Sequence, residues 1–411
     1  MAHKEFFTIS SRYRTWSYGL IGIGVVALII GFIMYGASSD VHDKTRFWAA
    51  LLQNSVYFLL IANACMFFVA ATTLAHGGWQ LAFRRVPEAI AAAVPFLGLL
   101  AVIILLAIVF GGHNMSHIYH WADHEAVESD KILKGKEGFL NSGFFTVYTI
   151  LSVFLWSWLG NKMRKLSLEL DARPLKDVEE GKKYVFKTTV WSALFIVAFA
   201  LTVMSVVPWI WMMSIDAHWY STMYSWFVFA STWQPAIALI ILFTVYLKNR
   251  NYLPFVTEEH LHDLAKFLFA FSIFWAYLWF SQYMLIWYAN IPEETVYFKH
   301  RTSGVYSGIF WFSFLINFLA PLLILMKRGS KRNYGTITVM SLVVIFGQWL
   351  NFHQLIFGSV AADHVVMNLF DFGIALGFVG AIMLITGNVL SKRALEVKNH
   401  PFMKESIIHH T

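Results

Sequence analysis

Within the long apolar runs of this sequence, one residue is an Asp, Glu, Lys or Arg: Asp371. A charged group at the centre of a membrane helix costs roughly 2.5–3.5 kcal/mol on insertion scales, so such a residue is a functional candidate by default. His364, Asn368 and Asp371 recur at i, i+4 and i+7, which puts them on one helical face. His353 lies near the end of the preceding run. The short connection from Ser359 to His364 places it at a depth similar to Asp371 on an antiparallel neighbour. Gln348, Asn351 and Gln354 add polar groups to the His353 run, but not all on its face. Two chemistries fit this set. One is a proton-conducting or quinone-facing polar cavity; the other is a buried Asp–His or Asp–Asn contact that fixes helix packing.

Other polar clusters lie between the runs. His113, His117, His120 and His124 would form a stripe if their segment were helical. Histidines at i and i+4 can bind zinc, but no closed ligand set is legible, and an interfacial helix meeting water, headgroups or a partner is the favoured reading. Asp216 and His218 fill a very short link, and Glu293 and Glu294 follow a run. Carboxylates and imidazoles at such a mouth can pass protons, or they can be ordinary interfacial groups. Glu258, Glu259, His260, His262 and Asp263 precede another run. They fit a proton-uptake cluster, and also a helix N-terminus that favours negative charge.

The elements that position these residues follow from composition. Of 411 residues, 58% are hydrophobic and 13% charged, against about 25% charged in a typical soluble domain. This excludes a soluble enzyme, a disordered chain and a disulfide-rich scaffold. A spanning helix needs about 20 apolar residues, and ten such runs are present: 16–36, 47–75, 89–110, 139–160, 188–213, 219–247, 267–289, 303–326, 335–358 and 365–390. They are continuous rather than alternating, which excludes an outer-membrane barrel. The first is too long for a signal-peptide core and no small-residue cleavage site follows it, so it is expected to remain as a helix. With the N-terminus inside, 24 of the 31 Lys and Arg fall in inner segments and 7 in outer ones. That asymmetry predicts cytoplasmic termini and a cytoplasmic tail over 391–411. The net charge of +7 is then a consequence of topology, not of nucleic-acid binding.

Redox ligands are scarce. Cys65 is the only cysteine, whereas an iron–sulfur cluster takes about four thiolates. No CxxCH haem-attachment motif and no phosphate-cradling GxxxxGK[ST] occur. Only His353 lies within a span, with His76 at a span end, so a b-type haem is not supported. The chain is expected to bind no metal or redox cofactor of its own. Pro95, Pro208, Pro235 and Pro321 fall within spans, and Pro235 should kink its helix.

Three segments carry a family likeness. Trp209-Ile-Trp-Met-Met-Ser-Ile-Asp-Ala-His-Trp-Tyr-Ser-Thr-Met-Tyr224 resembles the segment joining two central helices in the membrane subunits of alternative complex III. The stretch from His262 to Thr295, with Phe-Trp-Ala-Tyr-Leu-Trp-Phe-Ser-Gln at its centre, is a longer match, and Tyr119-His-Trp121 with Leu140-Asn141 is a third. These subunits belong to the NrfD-like, polysulfide-reductase membrane-subunit superfamily, and the likeness is to the shorter of the two. It implies an all-α polytopic fold of ten transmembrane helices, the middle eight forming two four-helix bundles with two peripheral helices. It implies a place in a bacterial inner-membrane respiratory complex that oxidises quinol and passes electrons to cytochrome c or a terminal oxidase. A paired, longer NrfD-like subunit would hold the quinol, while an iron–sulfur subunit and multihaem cytochrome c subunits would carry the iron–sulfur clusters and c-type haems. This chain would be structural and contribute to proton translocation. It departs from the family pattern at Ile210, where an acidic residue is expected, and at Ala217, where a proline is expected, which weakens a proton relay through that link. The competing readings are a secondary transporter of a small solute, for which no paired broken helices are visible, and a passive scaffold in the same complex.

Overall fold

The computed structural model describes residues 5–112, 117–360 and 367–410. Ten helices among them are long and apolar enough to cross a membrane: α1 Ser11–Gly36, α2 Val41–Leu74, α3 Arg85–Phe110, α4 Ser142–Ala172, α5 Val178–Trp211, α6 Tyr224–Lys248, α7 Glu258–Ala289, α8 Tyr306–Leu325, α9 Tyr334–Val360 and α10 Leu369–Leu390. The chain is an all-α polytopic membrane protein. Ten crossings return the C-terminus to the side on which the chain starts, so there is a termini end and an opposite, loop end.

Local chemistry sets where these helices start. Ser10, Asp40, Asn141 and Asp177 each accept a hydrogen bond from a backbone N–H of the first turn that follows them, satisfying donors that a helix leaves free. Thr257 and His260 close a reciprocal cap on α7, as Asn368 and Asp371 do on α10. The α10 cap corrects the sequence reading. The helix begins at Leu369 with Asn368 as its cap, so Asn368 and Asp371 do not share a helical face; His364 lies outside the described residues.

Helices α2–α5 pack as one bundle and α6–α9 as a second, with α2 joining them through α6 and α9. The apolar cores of α2 and α6 are 83% and 89% buried, whereas that of α1 is 11% buried, which makes α2 and α6 the central pair and leaves α1 for lipid. Cys65 is fully buried between them, its Sγ 3.8 Å from the Ala236 carbonyl oxygen. Helices α1 and α10 pack on each other and lean on α2 and α3. Their contact is close because it is made of small residues: a Cβ placed on Gly24 would stand 2.4 Å from Gly377 Cα. Helices in lipid lack a hydrophobic drive to associate, so this van der Waals contact matters. Gly377→Leu should therefore destabilise the purified protein by about 1–3 kcal/mol through overpacking. Gly19→Leu, at a position with nothing within 4 Å, should leave the thermal midpoint unchanged; equal midpoints for the two variants would refute the contact.

Candidate functional site: buried polar groups in the two bundles

The loop end holds the intramembrane carboxylate. Asp371 Oδ2 accepts from Arg46 Nη2 at 3.0 Å and from the Asn368 N–H at 2.9 Å. Asn368 Nδ2 donates to the Tyr35 hydroxyl at 2.9 Å, and the Arg46 guanidinium lies 5.0 Å over the Tyr35 ring. The carboxylate is completely buried. It ties α10 to α1 and α2, and its counter-charge is an arginine, not the expected histidine. Arg46 escapes a span scan because it stands just before the apolar run that starts at Phe47. His353 turns instead to α2, its Nδ1 paired with Gln53 Oε1 at 3.0 Å, while Gln53 Nε2 donates to the Trp349 carbonyl at 3.2 Å. His353 Nε2 has no hydrogen-bond partner among the described residues.

A longer polar file runs through the second bundle. Asn351 Nδ2 donates to Gln348 Oε1 at 3.2 Å and to Ser231 Oγ at 3.0 Å. Gln348 Nε2 donates to Gln234 Oε1 at 2.5 Å, and Gln234 Nε2 to Ser272 Oγ at 2.6 Å. Trp275 Nε1 donates to Ser231 Oγ at 2.9 Å. The backbone of α8 contributes one acceptor. Its turn Leu315–Leu319 is a π-helix, and Pro321 cannot donate back into that turn. The Asn317 carbonyl is taken up by Gln234 Nε2 at 3.0 Å. Toward the loop end, Asn351, Gln354, Gln282 and Arg301 line a cavity of about 20 Å³. That is enough for about one water, and Gln282 Nε2 and Arg301 Nε on its wall have no hydrogen-bond partner among the described residues. Arg301 is anchored by the Tyr297 carbonyl at 2.8 Å and Ser359 Oγ at 2.6 Å. Its guanidinium lies 3.5 Å over the Tyr297 ring, on whose other neighbour, Trp219, that ring stacks at 3.8 Å. Toward the termini end the file stops. Ile237, Ile240 and Ile241 of α6 and Leu264, Ala265 and Leu268 of α7 are buried and apolar there.

The first bundle is polar in the opposite half. Glu88 Oε1 accepts from Arg84 Nε at 2.9 Å, and Oε2 from Arg85 Nη1 at 2.7 Å. Arg85 also pairs with Asp171 and donates to Ser167 Oγ at 2.8 Å. Helix α3 thus begins four residues before the expected run and carries its own buried charges, so Asp371 is not the only charged residue within a span. Every residue from Arg85 to Ala91 is buried, so these charges are compensated inside the protein. From here Arg164, Asn161 and Ser157 line a small cavity that reaches Asn63, whose two amide heavy atoms have no hydrogen-bond partner among the described residues. Two residues on, the Cys65–Ala236 contact sets the register of α2 against α6, so Asn63 and Gln234 lie at matching depth.

The remaining candidates are dispersed. His113 lies outside the described residues. His117 and His120 have ring centroids 6.0 Å apart, but the segment breaks into a 3₁₀ turn at His120–Ala122 and a short helix at His124–Ser129. The expected stripe is not formed, because Asp123 caps a new helix within it. Among the described residues no group of three or more His, Cys, Asp or Glu could hold a metal ion. His218 Nε2 pairs with Asp130 Oδ2 at 2.5 Å on the surface, and Asp216 ends a 3₁₀ turn. Glu293 and Glu294 sit in the first turn of the helix Pro292–Thr302, where negative charge favours the helix dipole. Asp263 joins Lys266 at 2.5 Å and His409 at 2.8 Å at the termini end. The residues missed in sequence, Asn63, Gln234, Gln282 and Asn317, carry a legible signal: each is an amide inside an apolar run.

No protein-family model matches the chain, and no curated protein matches it.

Proposed function

We propose that this chain is a haem-free membrane subunit of a respiratory quinol:cytochrome c oxidoreductase of the alternative complex III kind, and that it carries protons along two offset polar half-paths. In this reading the termini face the cytoplasm of a bacterial inner membrane. The partners are the paired NrfD-like quinol-binding subunit, the iron–sulfur subunit and the multihaem cytochrome c subunits. The observation that carries it is a coincidence of residues. Trp219, Ser272, Trp275 and Gln282, which belong to the segments resembling that family, also build or flank the polar file of α6–α9.

Amide and hydroxyl side chains do not titrate at physiological pH. Their role in such a path is to hold waters in line, each donating to one neighbour and accepting from the next. The outer half-path runs from Arg301 to Gln234, and the inner one from Glu88 to Asn63. The apolar packing of α2 on α6 separates their ends and prevents a continuous leak. Asp371, already engaged by Arg46 and by its own helix N-terminus, has a packing role.

Two measurements test this. Purification in mild detergent should bring down c-type haem absorbance and iron–sulfur protein; isolation as a lone, haem-free oligomer would sink the respiratory reading. Within the assembled complex, Gln234→Leu with Gln348→Leu should lower the protons moved per electron while haem content stays normal. An unchanged ratio would remove the file from any proton path.

A further inference from the structure

A cavity of about 760 Å³ lies at the termini end, outside both half-paths. It is lined by the start of α5 and by the tail at Pro401 and Phe402. Helix α5 is 34 residues long, or ~51 Å at 1.5 Å per residue, against ~30 Å of hydrocarbon. Its first turns therefore stand in the headgroup zone. Val178, Lys182, Val185 and Thr189 share one face at i, i+4, i+7 and i+11 and all line the cavity. Val178 and Phe186 are 75% and 72% exposed. Lys176 and Lys182 also line the cavity, both exposed, beside the Asp177 carboxylate and His76. Lys182 Nζ pairs with Glu179 at 2.7 Å on the surface, a weak exposed contact that a phosphate can replace. The tail wall is fixed: Asn399 Nδ2 donates to the Leu170 carbonyl at 3.2 Å, and Ser406 Oγ to the Trp79 carbonyl at 2.8 Å.

We infer that this cavity is a binding site for an anionic phospholipid, its phosphate met by Lys176 and Lys182 and the upper part of an acyl chain laid on Val178, Phe186 and Phe402. The volume lies within the roughly 300–1,000 Å³ of small-molecule pockets. Position and the two lysines argue for the occupant, since the lining carboxylate, Asp177, is engaged as the α5 cap by the Glu180 N–H at 2.7 Å. Basic side chains at the headgroup level attract anionic lipid, and the apolar walls continue in the direction of the hydrocarbon. A free anion would leave those walls wet, and a zwitterionic lipid would gain little from the lysines. The inference is independent of the quinol reading.

Native mass spectrometry of the protein as isolated, in detergent with added phosphatidylglycerol or phosphatidylcholine, tests it. Phosphatidylglycerol should be retained in preference, and Lys176→Gln with Lys182→Gln should reduce its retention roughly tenfold. Both lysines are on the surface, so the variant keeps the fold, checked by its thermal midpoint. Equal retention of the two lipids, full retention in the variant, or complete displacement by inorganic phosphate alone would overturn the site. So would a photo-crosslinker at position 186 that captures a polypeptide in place of lipid in the membrane-embedded protein.

Discussion

Replacing Glu88 by Gln should cost about 3–5 kcal/mol of stability, the penalty for breaking a buried ion pair from one side. Glu88, Arg84 and Arg85 have side chains 2%, 3% and 4% exposed. One carboxylate compensates two guanidinium groups, and Arg85 continues to Asp171 at the end of α4. Asp171 Oδ1 in turn accepts from the Lys398 N–H at 3.2 Å, so the same knot holds the tail. A neutral amide at position 88 leaves Arg84 buried without its counter-charge and loosens α3, α4 and the tail together. Cys65 offers a built-in reporter, because the single thiol is fully buried between α2 and α6. Thermal exposure of that thiol to a labelling reagent should shift to markedly lower temperature in Glu88→Gln. Adding Arg84→Gln should recover part of the loss, since the orphaned charge is then gone. A Glu88→Gln midpoint equal to that of the unaltered protein would show that the knot contributes nothing net.

The second large effect is expected at the loop end. Asp371→Leu breaks an ion pair whose side chains are 9% and 0% exposed, again at about 3–5 kcal/mol. Arg46→Met combined with Asp371→Leu should restore most of this, because a buried ion pair replaced by apolar residues of similar volume is often neutral. A residual deficit of about 1 kcal/mol is expected from the lost cap, since Asp371 also accepts from the Asn368 N–H. The thiol-exposure midpoint reads this as well. A double variant no better than Asp371→Leu alone would mean that the aspartate acts through something other than Arg46. The same double variant separates packing from proton transfer. If it assembles and moves protons normally in the complex, Asp371 is structural; a stable complex with a reduced proton yield would return Asp371 to the path.

Ten spans and the all-α class were legible in the sequence because crossing a membrane is a nearly one-dimensional property. Each helix satisfies its own backbone, so the length and hydropathy of a run decide it locally. The concentration of Lys and Arg in alternate loops was equally local. Errors arose where a cap or a neighbour decided the outcome. Asn368 stops α10 four residues short of the apolar limit, and Asp123 divides the histidine segment. Arg85 and Glu88, which lie outside the apolar run, join α3 as a buried ion pair, with Arg84 at its cap pairing to the same carboxylate.

That Asp371 needs a counterpart was legible in the sequence, since an isolated carboxylate in an apolar run demands one. Which counterpart was a matter for tertiary structure. Arg46 lies 325 positions away, and no spacing rule reaches across that distance. The amide file of α6, α7 and α9 has the same character. Gln234, Ser272 and Gln348 each look minor on their own helix, and the bundle aligns them donor to acceptor. Sequence determines which groups must be buried through the cost of placing each in lipid, whereas partners are chosen by three-dimensional packing, which brings distant helices within hydrogen-bonding range.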